Sequence, residues 1–372
     1  MGSKIKLVIG TRPEAIKMIP VFMELKDQGF EVELISTGQH REMLLPIFDL
    51  FNIVPDRDLD LMKPNQTLSQ FASFAFEKIE QALSEDTNLV IVQGDTITAQ
   101  IAAQVAFYNK IKVAHVEAGL RTGDKYSPFP EEVNRKIISI LADYHFAPTQ
   151  VAVDNLASEN VIENVLMTGN TVIDALLRAK KQLESEKIAE FEDRYNHVCS
   201  PGGDNILVTC HRRESFGKEM EDICEALKSL AQRYTTYQFI FPVHLNPNVR
   251  EVVFKILNDV PNIHLIDPVP YPDMIYLMTQ SKIIITDSGG IQEEAPALDV
   301  PVVVMRNHTE RMEGVEAGCS VLVGTNKDNI QHEVCHILDN PEVFSRMASA
   351  KNPFGDGLAA ENIVNHLKKD FL

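Results

Sequence analysis

Positive charge is scarce in this chain. Its 372 residues carry 35 Lys and Arg against 53 Asp and Glu, a formal net charge of −18. Polynucleotides and anionic membranes need a positive surface, so this balance argues against both as partners. It leaves room for a small anionic ligand gripped by a local cluster of cations. Long apolar runs are missing too: no stretch of 18 apolar residues is available to cross a bilayer, and the N-terminus lacks the apolar core of a secretory signal. We therefore expect a cytoplasmic protein without a membrane partner. Cysteine is sparse, and Cys199, Cys210, Cys224, Cys319 and Cys335 are odd in number, scattered and free of C-x-x-C pairing. They read as free thiols of a reducing compartment. No H-E-x-x-H or comparable spacing supports a metal site. No G-x-G-x-x-G follows the first apolar strand, which argues against a dehydrogenase-type dinucleotide site.

What is present is a regular alternation. An apolar fraction of 44% is ordinary for a globular protein, and the length exceeds what one core usually holds, so two α/β domains are expected. Short apolar runs at 6–9, 32–36, 89–93, 112–115, 144–147 and 165–168 alternate with helical patterns such as 67–83 and 131–142. The second half repeats the rhythm with runs at 206–209, 238–241, 263–266, 282–286, 300–304 and 320–323. This is the βαβ cadence of parallel sheets. The stretch 184–204, charged and then Gly-Pro-rich, reads as the linker region. The expected division is a first domain over 1–170, to which a helical segment 356–372 returns, and a second over 171–355.

Two junctions resemble phosphate-binding turns. In KIIITDSGGIQEEAP, residues 282–296, a strand runs into Asp287-Ser288-Gly289-Gly290, and a helix starting at Ile291 would aim its N–H groups at an anion. Glu293 and Glu294 suit the first turn of such a helix. At the other end, the strand 4–9 runs through Gly10, Thr11, Arg12 and Pro13 into a helix. Two such junctions suggest two nucleotide-type half-sites.

Other polar clusters also fall at strand ends, where open parallel sheets bind ligands. Arg12, Lys17, Arg212, Arg213 and Arg311 are the phosphate candidates. Asp95, Glu117 and Glu131 are carboxylates fit for acid–base work or for support of positive charge on a sugar ring. Two of them have structural alternatives: Asp95 as the cap of a helix near Thr96, and Glu131 as a first-turn residue favoured by the helix dipole. His211 and His244 end strands as well, whereas His264, His332 and His336 read as ordinary fold residues. The inventory fits a sugar nucleotide between two Rossmann-like halves.

Assembled in order, the motifs resemble those of the bacterial non-hydrolysing UDP-N-acetylglucosamine 2-epimerases. They are GTRPEAIK at 10–17, QHR at 39–41, GDT at 94–96, HVEAGLRT at 115–122, PEEVNR at 130–135, TGNTVIDAL at 168–176, HRRES at 211–215, PVHLNPNV at 242–249, DSGGIQEEAP at 287–296 and NPFGDG at 352–357. The resemblance implies two Rossmann-like domains of the glycosyltransferase-B type with a cleft between them, a homodimer, and a UDP-sugar substrate with no cofactor. It implies elimination of UDP across C1–C2, a 2-acetamidoglucal intermediate, and return of UDP to give UDP-N-acetylmannosamine for surface polysaccharide. By motif, Asp95, Glu117, Glu131 and His211 are catalytic. Arg12, Lys17, Ser288, Gly289, Gly290, Glu294 and Arg311 match UDP-binding positions, with Glu294 on the ribose and Arg135 orienting neighbouring carboxylates. Gln39, Gln66, Glu132, Arg212 and His244 match an allosteric second site for substrate.

This chain departs from the family pattern at Met312, where proline is common, and at Met274, where an aromatic is. Glu42 and Asn65 stand where glutamine and arginine are usual. The competing readings are a hydrolysing epimerase, an epimerase of 2,3-diacetamido sugars, a glycosyltransferase of the same fold, and a UDP-sugar sensor without turnover.

Overall fold

The computed structural model describes residues 3–39, 41–63, 65–83, 86–200, 203–212 and 215–371; the side chain of Arg41 is also outside the description. The chain forms two compact units, Met1–Ala175 with Phe354–Leu372, and Leu176–Pro353.

The first unit is built on a parallel sheet of seven strands: β1 Lys4–Ile9, β2 Glu31–Ser36, β3 Arg57–Asp58, β4 Thr87–Gln93, β5 Lys112–Val116, β6 Tyr144–Ala147 and β7 Val165–Met167. Their spatial order is β3-β2-β1-β4-β5-β6-β7. β1 and β4 are buried along most of their length, because helices cover both faces of a parallel sheet. Helix Ile97–Tyr108 lies close on it through Ala99, Ala102, Ala103 and Ala106, all fully buried. β3 escapes the sequence pattern, since two exposed residues leave no apolar alternation to read. The closing helix Ala359–Phe371 belongs to this unit. Asp174 caps it by accepting from the N–H groups of Ala359 and Ala360 at 3.3 and 2.8 Å.

The second unit carries a parallel sheet of six strands: β8 Asn205–Thr209, β9 Gln238–Pro242, β10 Ile263–Ile266, β11 Ile283–Thr286, β12 Val302–Val304 and β13 Ser320–Leu322, ordered β10-β9-β8-β11-β12-β13. Its core is formed by Met220, Ile223, Leu227 and Leu230 of helix Lys218–Arg233, with Val249 and Val253 from the next helix, packed on the sheet. Both units are Rossmann-like doubly wound α/β domains, the building blocks of the glycosyltransferase-B type. In each, strand order reverses at one point, between β1 and β4 and between β8 and β11, and that is where such sheets hold ligands.

Residues 184–204 are not a connecting linker. They lie inside the second unit, where helix Ile188–Tyr195 packs Phe191 and Tyr195 against Tyr276 with ring centroids 5.6 Å apart in each pair. The charged residues that suggest a linker are the solvent face of this amphipathic helix. The chain instead passes between units inside helix Thr171–Gln182 and again after Pro353. Pro201 and Gly202 lie outside the described residues.

Candidate functional site

In the first unit the unusual polar residues gather at the ends of β1, β4 and β5. β4 leads through Gly94, with φ of 69°, to Asp95. Thr96, not Asp95, caps the following helix by accepting from Ala99 N at 3.0 Å, so the capping alternative for Asp95 does not hold. Released from that task, the Asp95 carboxylate pairs with Arg135. Its backbone carbonyl accepts from Asn134 Nδ2 at 2.9 Å. Arg135 also donates to Glu132 Oε2 at 3.0 Å, and Glu132, fully buried, accepts from Thr122 N and Gly123 N at 3.0 and 3.2 Å. Glu132 thus shapes the 122–123 loop and aims Arg135 at Asp95.

Glu117 follows β5 in the left-handed region, with φ of 61°, where side chains other than Gly and Asn are uncommon. Its buried carboxylate pairs with Lys17, accepts from Asn170 Nδ2 at 3.0 Å on Oε1, and takes Gln93 Nε2 on Oε2. Beneath it, His115 is fully buried, with Nε2 2.7 Å from the Gly94 carbonyl oxygen. Burial pushes this imidazole down to about 3, so it is neutral and donates through Nε2. Glu131 opens helix Glu131–Leu141, and its Oε2 is buried without a hydrogen-bond partner. A buried acceptor left unmade is costly, and functional sites are where such atoms are retained.

The junction at Gly10 differs from expectation. Thr11 and Glu14 form a capping box, and Glu14, fully buried, takes Gly10 N, Thr11 N and the Thr11 hydroxyl on Oε2 at 3.0, 2.7 and 2.8 Å. The N–H groups expected to face a phosphate are already occupied by the chain's own carboxylate. Gly10 is needed for a different reason: an added Cβ would lie 2.6 Å from both Thr37 Oγ1 and Thr98 Oγ1. Arg12, at the first helical position, is exposed. Gln39 accepts from Thr98 Oγ1 at 3.2 Å and Gln66 from Lys63 N at 3.2 Å, while His40 lies outside the described residues.

In the second unit, β11 runs into Asp287, which is fully buried. Its Oδ2 accepts from His211 N and Arg212 N at 2.9 and 2.8 Å and from Cys210 Sγ at 3.3 Å, joining the ends of β8 and β11. The His211 ring stacks on the exposed His244 ring at 5.7 Å. Arg213 and Glu214 lie outside the described residues.

The helix beyond Ser288 spans Gly289–Glu294, beginning two residues before the expected Ile291. Glu293 and Glu294 are therefore its last residues and not its first turn. Their charges are met otherwise: Glu293 Oε1 lies 2.9 Å from Arg311 Nε, and Glu294 Oε1 accepts from the Tyr271 hydroxyl at 2.7 Å. The Ser288 side chain makes no capping hydrogen bond at the start of this helix. The Arg311 guanidinium covers it so closely that a Cβ at Gly289 would stand 3.1 Å from its central carbon. Arg306 and Arg311 share Glu310 at 2.9 and 3.3 Å; burial acts to raise that carboxyl, but Arg306 and Arg311 hold it down to about 2. Backbone N–H groups at a helix start beneath a guanidinium can receive a phosphate oxygen. Among the described residues no three His, Cys, Asp or Glu side chains converge as metal ligands.

Gln93 and Glu14 were given no role by sequence reasoning, and Asn170 and Asp287 were read only as members of polar turns at strand ends. Gln93, Asn170 and Asp287 sit at or just beyond strand ends, where position was the available signal, whereas Glu14 lies in the first turn of the helix after β1.

Comparison with known proteins is direct. The sequence profile described as UDP-N-acetylglucosamine 2-epimerase matches residues 23–368. The Escherichia coli K12 UDP-N-acetylglucosamine 2-epimerase is 49% identical over 372 residues, covering 99% of each chain. The crystal structure of the Neisseria meningitidis UDP-GlcNAc 2-epimerase bound to UDP-GlcNAc superposes with a TM-score of 0.89 at 44% identity, covering 99% of this chain and 100% of that one. A Staphylococcus aureus MnaA–UDP structure matches with a TM-score of 0.85 at 43% identity, over 98% and 96% of the two chains.

Proposed function

The chain belongs to the UDP-N-acetylglucosamine 2-epimerase family, and from that premise we propose that it interconverts UDP-N-acetylglucosamine and UDP-N-acetylmannosamine without hydrolysis. The C2 proton of the substrate has no neighbouring carbonyl to acidify it. Elimination of UDP across C1–C2 avoids that difficulty: the C1–O bond breaks toward the diphosphate, a base takes the C2 proton, and a 2-acetamidoglucal is held until UDP returns. Reprotonation on the opposite face then inverts C2. No external oxidant is consumed, in keeping with the missing dinucleotide fingerprint.

The observation that carries this reading is the pair of carboxylates at adjacent strand ends, each matched to a cation: Asp95 to Arg135 and Glu117 to Lys17. Carboxylates held in place this way can stabilise positive charge developing at C1. Glu131, with its unpartnered oxygen, and His211, half exposed at 44%, are the groups we assign to proton movement. Ser288, Gly289, Gly290 and Arg311 hold the diphosphate, assisted by Arg12 and Lys17, and Glu294 holds the ribose.

We assign a regulatory role toward substrate to Gln39, Gln66, Glu132, Arg212 and His244. A hyperbolic rate curve with UDP-N-acetylmannosamine alone, indifferent to traces of the other epimer, removes that role. We further propose a cytoplasmic homodimer that supplies N-acetylmannosamine units for surface polysaccharide. Phe107, Tyr108 and Ile140, exposed by 57%, 62% and 81%, offer the apolar surface a dimer needs.

Incubation with UDP-N-acetylglucosamine in D2O, followed by NMR, tests the reading. The expected product is UDP-N-acetylmannosamine with deuterium at C2. Free N-acetylmannosamine and UDP indicate a hydrolysing enzyme, and absence of exchange indicates a transferase or a sensor.

A further inference from the structure

We propose that Asp287 is a positioning residue that fixes the tautomer of His211 and supports its protonated form. The inference rests on the epimerase reading only where it concerns turnover; the geometry stands by itself.

Three observations carry it. Asp287 is fully buried, and its two oxygens are used unequally: Oδ2 accepts three hydrogen bonds, whereas Oδ1 accepts none. The ionic group beside Oδ1 is His211 Nδ1, 3.4 Å away. A buried carboxylate oxygen with no donor is expensive unless a cation or N–H comes to it. The distance is long for a hydrogen bond, as is common where catalytic contacts tighten only with ligand bound.

The tautomer follows from electrostatics. If the neutral ring carried its proton on Nε2, the Nδ1 lone pair would face a buried carboxylate oxygen at 3.4 Å, two electron-rich atoms opposed. With the proton on Nδ1, the ring donates toward Oδ1 and leaves Nε2, on its far side, to exchange protons. When the ring takes up a second proton, the resulting cation sits beside a buried anion. This is the arrangement by which a carboxylate orients and stabilises a working imidazole.

The groups facing His211 divide in sign. Asp287, from the turn after β11, favours the cation; His244, stacked from the loop after β9, and neighbouring Arg212 oppose it. Burial of the ring acts with the latter two and lowers the imidazole below its ordinary value. Asp287 is the counterweight that opposes this lowering.

The backbone bonds suggest the right variant. In Asp287→Asn a carbonyl oxygen can still accept from His211 N and Arg212 N, so the turn is retained while the charge is lost. The test uses the full-length protein with 15N-labelled histidine, His211 being assigned by its missing signals in His211→Asn. The expected wild-type result is a neutral ring protonated at Nδ1, and an Asp287→Asn midpoint lower by about one to two pH units. The limb of the kcat–pH profile that follows His211 should move by the same amount, with turnover at neutral pH down roughly 100-fold and UDP affinity within threefold of wild type. A wild-type ring protonated at Nε2, or a midpoint unmoved in Asp287→Asn, overturns the proposal. If that variant does not fold, the wild-type tautomer still decides. Failure of the wild-type enzyme to epimerise is a separate result: it rejects the functional reading and leaves the titration as a test of the dyad.

Discussion

Two junctions in this chain share one grammar, a buried strand, a short polar turn and a helix, yet they end in opposite states. After β1 the helix carries its own anion: Glu14, three residues past the cap Thr11, folds back over Gly10 N and Thr11 N. After β11 the helix carries none, because the residue three past Ser288 is Ile291 and the acids come two positions later, at the helix end. There the cation Arg311 lies over the turn instead. A shift of two positions in one glutamate separates a turn closed by its own carboxylate from the turn we propose for the diphosphate. The histidines show the same contrast, with His115 and His145 buried in the first unit and His211 and His244 accessible in the second.

The largest effect should come from the first unit's chemistry. Glu117→Gln keeps the shape that receives Asn170 and Gln93 but removes the charge opposite Lys17. Turnover should fall by roughly 10²- to 10⁴-fold while UDP binding by calorimetry changes little, because Ser288, Gly289, Gly290 and Arg311 are the groups assigned to hold the diphosphate and Lys17 only assists them. Near-normal turnover takes Glu117 out of the mechanism.

The next effect tests the comparison itself. Ile291→Glu installs in the second junction the carboxylate that closes the first, completing a Ser-x-x-Glu capping box. UDP affinity should fall by about 100-fold or more, an anion now occupying the cradle. Ile291→Gln, able to make the same cap without charge, should lose about tenfold or less. Equal losses in the two variants would mean that damage to the buried site, and not the installed charge, is responsible.

How much of this was legible beforehand follows from the same residues. Parallel strands declare themselves as apolar runs, so the buried β6 and the partly buried edge strand β10 both fall on the expected residues. β3, exposed and two residues long, has no such signature. The candidate carboxylates were legible as strand-end residues, but their partners were not: the Asn170–Glu117 contact spans 53 positions and the Asp287–His211 contact 76. Such pairings depend on strand order, which a linear pattern does not give. The Glu14 cap was a local signal, Thr-x-x-Glu, read past because the glycine before it suggested a ligand.

The histidine contrast predicts a pH effect. Burial pushes His115 down to about 3 and His145 down to about 4. A folded-state value below the ordinary one near 6.5 means that the unfolded chain binds the proton better. Stability is then fully present above about pH 6.5 and declines as pH falls toward the folded-state values, by up to roughly 1.4 kcal/mol per pH unit for each histidine. The Tm should drop between pH 7 and pH 5. His115→Gln, which retains a donor for the Gly94 carbonyl, should be less stable at pH 7 but should lose less on acidification. Parallel melting curves for the two proteins across that range would assign the acid sensitivity elsewhere.

The smallest effect is the sharpest comparison of the two caps. Thr11 holds Glu14 in place, donating from its hydroxyl at 2.8 Å and accepting at the helix start, so Thr11→Ala removes a working cap. The expected loss is about 1 kcal/mol, a Tm shift of roughly 2–4 °C for a unit of this size. Ser288 occupies the equivalent position but its side chain caps nothing. Ser288→Ala should leave the ligand-free Tm within about 1 °C, because the Ser288 hydroxyl makes no hydrogen bond among the described residues. Its effect should appear only with UDP present, as a smaller ligand-induced rise in Tm, since stabilisation by a ligand scales with its affinity for the folded state. The two substitutions then separate cleanly: one lowers the baseline and spares the ligand response, while the other spares the baseline and lowers the response. If Ser288→Ala lowers the ligand-free Tm as much as Thr11→Ala does, both hydroxyls serve the fold and the second junction is no more open than the first.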